Sequence, residues 1–308
     1  MPLAQPPVAP TLSGDILSIH RLLQSPTYVL RRLRTLADDQ FIADKLFTGG
    51  VEASGGAVAY EVSESRYTDR APGSVAPGSA YPRAAANIST GAIATVQNWG
   101  QEVAVTDAAI KRLRANAMDR SLTKAVNQVA KQVDTVALAA AGTAITQTQA
   151  AAFAWSTSTA DPLLDVMLAQ SIVEDLGEGY VADTVLVTKA LYARLVANQK
   201  VISGLRREAN TTVTEDGNVT MLGGLKVVAA PAARFPSGVT AMVLDSTQFG
   251  YLGYEVLGSP DFTGDPSTGI ETRVRRDPEG ADQYLITVRR PVVPIVQEPS
   301  SGVKITGA

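Results

Sequence analysis

Apolar residues recur every three to four positions in the middle of the chain. Ile110, Leu113, Met118, Leu122, Val126, Val129, Val133 and Val136 form one stripe, and Lys111, Arg114, Asn116, Arg120, Lys124 and Lys131 fill the positions between them. That period predicts an amphipathic helix. Thr106 is placed to cap it and Asp107 stands in its positive first turn. No Pro or Gly interrupts the run before Gly142. The predicted helix covers 106–141, about 36 residues or roughly 54 Å. Helices in globular proteins average about three turns, so this one is a spine.

The pattern on either side differs. Ser25-Pro26 reads as a cap and first position of an earlier helix, with Leu30, Leu33, Ala37 and Phe41 on one face and Arg31, Arg32 and Arg34 mostly on the other. Residues 48–90 contain six Gly, three Pro, six Ser and no Lys. Turn signals recur there, as at Gly55-Gly56, Pro72-Gly73 and Pro77-Gly78. Val58–Val62 keeps strand-like alternation and reads as part of a two-stranded arm. So long a segment without its own core is a device for gripping a neighbour. An alternating strand, 93–105, leads into the spine. After it the reading becomes α+β. Helices are expected at 163–176, opened by Asp161-Pro162, and at 189–199. Strands are expected at 184–188, 225–229 and 239–244. A polar loop takes 203–218 and a hairpin joins 271–276 to 283–290. Pro291, Pro294 and Pro299 argue against a central strand in the tail.

Composition narrows the class. Hydrophobic residues make up 45% and charged residues 19% of 308 residues, which is globular composition. A net charge of −3 excludes a generally basic nucleic-acid binder. Cys is absent, so neither a disulfide framework nor a thiolate metal site exists. Met1–Pro10 carries four prolines and no signal-peptide pattern, and no run is long enough to span a membrane. A soluble protein made inside the cell is expected.

Catalytic chemistry finds no foothold. The single histidine, His20, lies in the N-terminal arm. No phosphate loop, dinucleotide fingerprint or nucleophile elbow occurs. Asp261 and Asp265 flank a turn but lack the ligand spacing of a calcium loop. The reading is no enzyme, no cofactor and no metal. Arg31, Arg32 and Arg34 are either a solvated helix face or a contact to nucleic acid. Glu61, Glu64, Arg66, Asp69 and Arg70 serve either solubility or ion pairing between subunits.

The order of arm, extended loop, spine helix, α+β domain and hairpin resembles the major capsid proteins of tailed bacteriophages, the Hong Kong 97-like fold. Val75-Ala76-Pro77-Gly78-Ser79-Ala80-Tyr81-Pro82 is similar to that family's turn at the base of the extended loop. Trp99-Gly100-Gln101-Glu102-Val103-Ala104-Val105-Thr106-Asp107 resembles its strand entering the spine. Asp134 followed by Ala137–Gly142 resembles the helix exit. Leu222–Val228, Pro236-Ser237-Gly238 and Val243-Leu244-Asp245 resemble the axial sheet.

The resemblance implies an α+β shell subunit forming pentamers and hexamers of an icosahedral capsid around a DNA genome. It divides the chain into an N-terminal arm and helix (1–47), an extended loop (48–92), a peripheral domain with the spine (93–160), an axial domain (161–256) and a return to the peripheral domain with a C-terminal tail (257–308). Intersubunit contact falls to Tyr60, Glu61, Glu64, Arg66, Tyr67, Asp69, Arg70 and Tyr81. Arg31, Arg32 and Arg34 are candidate inner-surface contacts to nucleic acid or scaffold. Expected partners are other copies of the chain, a separate scaffolding protein, a portal, a candidate decoration protein and double-stranded DNA held weakly; the expected location is the virion, after assembly in the host bacterial cytoplasm. An encapsulin-like nanocompartment shell is the alternative, and a soluble hydrolase a third reading.

Overall fold

The structure, a computed structural model, describes residues 41–53, 55–63, 65–85, 90–113, 115–204, 220–265 and 269–308. The expected helix at Ser25-Pro26, His20, the Arg31, Arg32 and Arg34 cluster, Glu64 and most of the loop 203–218 lie outside these. In chain order the elements begin with helix α1 (Ala43–Leu46), strands β1 (Gly49–Glu52), β2 (Ala57–Val62), β3 (Thr90–Thr95) and β4 (Gln97–Thr106), and helices α2 (Asp107–Leu113) and α3 (Ala115–Ala144). Next come β5 (Thr148–Ala150), α4 (Pro162–Glu174), β6 (Thr184–Thr188), α5 (Lys189–Ala197) and α6 (Gln199–Gly204). The chain closes with β7 (Met221–Leu222), β8 (Leu225–Ala230), β9 (Ala241–Leu244), β10 (Gly250–Tyr254), β11 (Thr263–Asp265), β12 (Ile270–Arg276), β13 (Gln283–Val296) and β14 (Gly302–Thr306). It divides into two units, and α3 and β13 each begin in the first and end in the second.

The first unit holds Phe41 and residues 97–133 and 254–292. Its hairpin pairs Glu271 with Arg289 through Arg276 with Tyr284. The turn is made by Asp277, whose Oδ1 accepts the Glu279 N–H, and by Gly280 at φ +83°. Strand β4 adds antiparallel to β13, from Gln97 opposite Val292 to Thr106 opposite Gln283. Gly100 stands opposite Arg289, and a Cβ there would lie 2.8 Å from the Arg289 Cβ. Thr106 caps the helix start, its hydroxyl accepting the Ala109 N–H at 3.2 Å. Arg276 grips Asp107 with both ends of its guanidinium, at 2.7 and 2.6 Å, and so ties the hairpin to the first turn of α2. The stripe faces inward: Ile110, Met118, Leu122, Val126, Val129 and Val133 are all buried.

The second unit holds residues 42–96, 134–253 and 293–308. Its six-stranded sheet has the order β5-β14-β9-β6-β8-β7. β6 lies parallel to β8 and antiparallel to β9, and all five of its residues are buried. Such a strand reads as a continuous apolar run, as Thr184–Thr188 does. Asp161 caps α4 by accepting the Leu164 N–H, with Pro162 in the first turn. The core joins Trp155, Val166, Val173, Val185, Val187 and Leu195 to Val303 and Ile305 of the last strand.

Several expectations are corrected here. The spine consists of α2 and α3, with residue 114 outside the described set, and it ends at Ala144 rather than 141. Gly142 does not stop the helix. It makes room for Pro236, whose Cγ would lie 2.6 Å from a Cβ at 142. The strand 93–105 is two strands, because the chain changes partners at Val96: β3 pairs with β2, β4 pairs with β13, and the Val96 N–H goes to the Gly56 carbonyl. The tail does supply a central strand. β14 starts beyond Pro299 and lies between β9 and β5, so no proline interrupts its ladder. Pro291 and Pro294 fall inside β13 itself.

Candidate functional site

The extended loop begins as the two-stranded ribbon that the alternation predicts. β2 and β3 run antiparallel from Ala57 opposite Thr95 to Val62 opposite Thr90. Its root is not without a core: Val58 and Ala53 are buried with Ile295, and Tyr60, Ala94, Val96, Tyr251 and Val293 pack around them. Tyr60 is therefore half-buried in its own subunit, and Glu61 beside it is exposed.

Beyond the ribbon, Ser63 takes φ +54° and its N–H goes to the Gln297 carbonyl. Non-glycine residues seldom adopt that conformation. The next described residues meet the turn that follows α4. Ser65 donates its hydroxyl to Glu178 Oε1 at 3.0 Å, and the Arg66 N–H goes to Glu178 Oε2 at 2.8 Å. Arg66 Nη2 donates to Gln248 Oε1 at 3.0 Å, and Tyr67 Oη donates to the Gly177 carbonyl at 2.7 Å. Tyr180, next to this turn, is buried and donates to Glu298 Oε2 at 2.8 Å. Burial first, and the Glu298 carboxylate second, push its phenol above the ordinary range.

The tip is different in kind. Asp69 accepts the Ala85 N–H at 2.8 Å, while its own N–H reaches the Ala85 carbonyl at 3.4 Å. That crossing closes the tip at its base. Arg70 is exposed, and Tyr81 is 83% exposed. Of the predicted contact residues, Arg66 and Tyr67 thus come together on one turn, and Asp69 closes the tip. Arg70 and Tyr81 stand on the tip itself, and Glu64 lies outside the described residues. Sequence reasoning missed Glu178, Gly179 and Gln248. No local pattern marks them, since their partners on the loop lie 112 to 182 residues away. Among the described residues, no three His, Asp or Glu side chains come together as a metal site. Among them too, no helix is long and apolar enough to cross a membrane.

Residues 90–305 match the family model described as phage capsid protein. No curated protein sequence matches the chain. Solved structures share its fold at low identity. A phage-related protein from Bordetella bronchiseptica RB50 is 13% identical with a TM-score of 0.58, over 92% of this chain and 96% of that one. A structure of Microbacterium phage Oxtober96 is 14% identical with a TM-score of 0.56, over 87% and 91%. A structure of the Phage G major capsid and decoration proteins aligns at 10% identity and a TM-score of 0.56, over 87% and 90%. The family match covers well over half of the sequence and takes in the spine and the hairpin, so this chain belongs to the phage capsid protein family and has its Hong Kong 97-like fold.

Proposed function

We propose that the chain is the major capsid protein of a tailed bacteriophage, with copies assembling as pentamers and hexamers into an icosahedral shell around double-stranded DNA. The observation that carries this reading is the family match over 90–305, which runs through both units. The extended loop supports it. A segment whose tip is exposed over residues 76–85 and lacks a core has a use only against another copy. In this reading residues 161–256 form the axial domain, and residues 93–160 with the hairpin form the peripheral domain. Arg70, Tyr81 and the rest of the tip grip the neighbouring subunit, and Arg31, Arg32 and Arg34 face the interior. A separate scaffolding protein, a portal and a decoration protein complete the particle. The chain does no catalysis, and assembly takes place in the host cytoplasm.

An encapsulin-like shell is not favoured, because the matching family is that of phage capsids. Rings that close need heterologous contacts of fixed angle, so particles should have a discrete diameter. Negative-stain images of the chain expressed with its scaffolding protein test this. Closed shells of one or two sizes are expected; monomers or dimers alone would overturn the proposal.

A further inference from the structure

Three consecutive loop residues are fastened to their own subunit by four hydrogen bonds. Three go to one turn, from Ser65 and Arg66 to the Glu178 carboxylate and from Tyr67 to the Gly177 carbonyl, and the fourth runs from Arg66 to Gln248. The turn is shaped for them. Gly177 and Gly179 both hold left-handed φ, +70° and +76°, a conformation open to glycine at little cost. A Cβ on Gly179 would lie 2.0 Å from Arg66 Nη1, so the exposed guanidinium would have to swing aside for any other residue there. Thr68 and Asp69 bond instead within the loop, to the Arg70 carbonyl and the Ala85 N–H.

We propose that Ser65-Arg66-Tyr67 is a latch, closing the root of the extended loop onto the Gly177–Gly179 turn of the same subunit and leaving 68–85 as the free part. The latch divides the loop by function: an anchored root that fixes where the tip begins, and a tip that reaches outward. Fixing the root lowers the entropy lost when the tip engages a partner. Only this last step rests on the shell reading above; the latch itself is a property of the single subunit.

Limited trypsin digestion of the unassembled full chain tests it, because three cleavable bonds lie on the same loop. In the native chain the bond after Arg66 should be cut about tenfold more slowly than the bonds after Arg70 and Arg83, since local opening must precede cleavage. Glu178→Ala and Gly179→Val should each bring cleavage after Arg66 up to the rate after Arg70. The Arg70 and Arg83 rates, and the circular dichroism of the body, should not change. Gly179→Val also strains the backbone, so Glu178→Ala decides if that variant fails to fold. Equal cutting at all three bonds in the native chain would overturn the latch, as would continued protection of Arg66 in folded Glu178→Ala. Neither result touches shell formation, and a chain that forms no shells still gives the digestion pattern.

Discussion

Arg234 donates through Nη1 to Asp134, a carboxylate with no exposed surface on helix α3. The same carboxylate accepts the N–H groups of Ile42 and Ala43, both at 2.9 Å through Oδ1. One side chain thus holds the entry to the extended loop and the short turn before β9. Burial raises its pKa, and the backbone N–H groups and Arg234 offset that only in part. Asp134→Ala removes the acceptor that Arg234 and two N–H groups share and should cost about 3–5 kcal/mol. The sign with pH follows. With the folded pKa above the unfolded value of 3.8, the native state binds more protons over the interval between them. Stability from this group therefore falls as pH rises through that interval, then levels off. Urea denaturation from pH 3 to 7 should show the falling limb in the native chain and lose it in Asp134→Asn. A difference curve without slope would refute the assignment.

The buried stripe makes a second expectation. Val129 is 2% exposed, whereas Lys124 is exposed. Val129→Asp places a carboxylate on the buried stripe, at a cost on the order of several kcal/mol. Soluble yield and denaturation midpoint should collapse for it and barely change for Lys124→Ala. Equal behaviour of the two would mean that the stripe faces the other way.

Gly142 sets two effects against each other. Glycine inside a helix is about 1 kcal/mol worse than alanine. Alanine here would drive its Cβ to 2.6 Å from the Pro236 ring, and such overpacking costs about 1–3 kcal/mol. Overpacking should win, because a proline ring cannot rotate away. Gly142→Ala is expected to lower the denaturation midpoint, and a raised midpoint would show that the 236 turn yields.

How much of this was legible in the sequence depends on the distance over which each cause acts. The buried stripe, the Thr106 and Asp161 caps and the Asp277–Gly280 turn were readable because each involves residues a few positions apart. The partner change at Val96 was not, since uninterrupted alternation looks alike whichever strand it pairs with. β14 was misread because the prolines before it say nothing about a ladder that starts at Gly302. Asp134 was noted only as part of a motif. Its partners lie 91, 92 and 100 residues away, beyond the reach of any local pattern. The turn that receives Arg66 was missed for the same reason.

Asp161 yields a prediction in acid. It caps α4 and pairs with Lys200 at 2.9 Å; that bond, ahead of the Leu164 N–H, holds its carboxyl below the usual value. A depressed folded pKa contributes stability above the unfolded value of 3.8, and this is lost as pH falls through the folded pKa. Asp161→Ala should cost about 1 kcal/mol at neutral pH, mostly through the cap, and the gap from the native chain should narrow, without closing, as pH falls below 3.8, because a protonated Asp161 still caps. Asp161→Asn keeps an acceptor and should recover most of the cap. A gap of the same size at neutral and low pH would show that the charge contributes nothing.

The last expectation concerns how neighbouring subunits are held. The family that this chain resembles includes members that join a lysine of the extended loop to a neighbour's asparagine. Between Lys45 and Lys111 this sequence has no lysine, so the loop has no amine for that bond. The grip is therefore expected to be noncovalent, with Tyr81, Arg70 and the backbone of the tip as its proposed contacts. Exposed charge pairs contribute only about 0–1 kcal/mol each and weaken with salt, so the grip depends on repetition around the shell. Mature particles boiled in detergent should run as one band at the mass of a single chain, 32.3 kDa. High salt should loosen native particles before it unfolds the subunit. Because Asp69 and Ala85 already lie hydrogen-bonded to each other, residues 70–83 can be removed and the ends rejoined without disturbing the root. That deletion should leave a folded, soluble subunit whose shells are absent or fall apart on dilution. A ladder of covalent oligomers on the gel would refute the noncovalent grip, and stable shells from the deleted chain would show that the tip does not hold the neighbour.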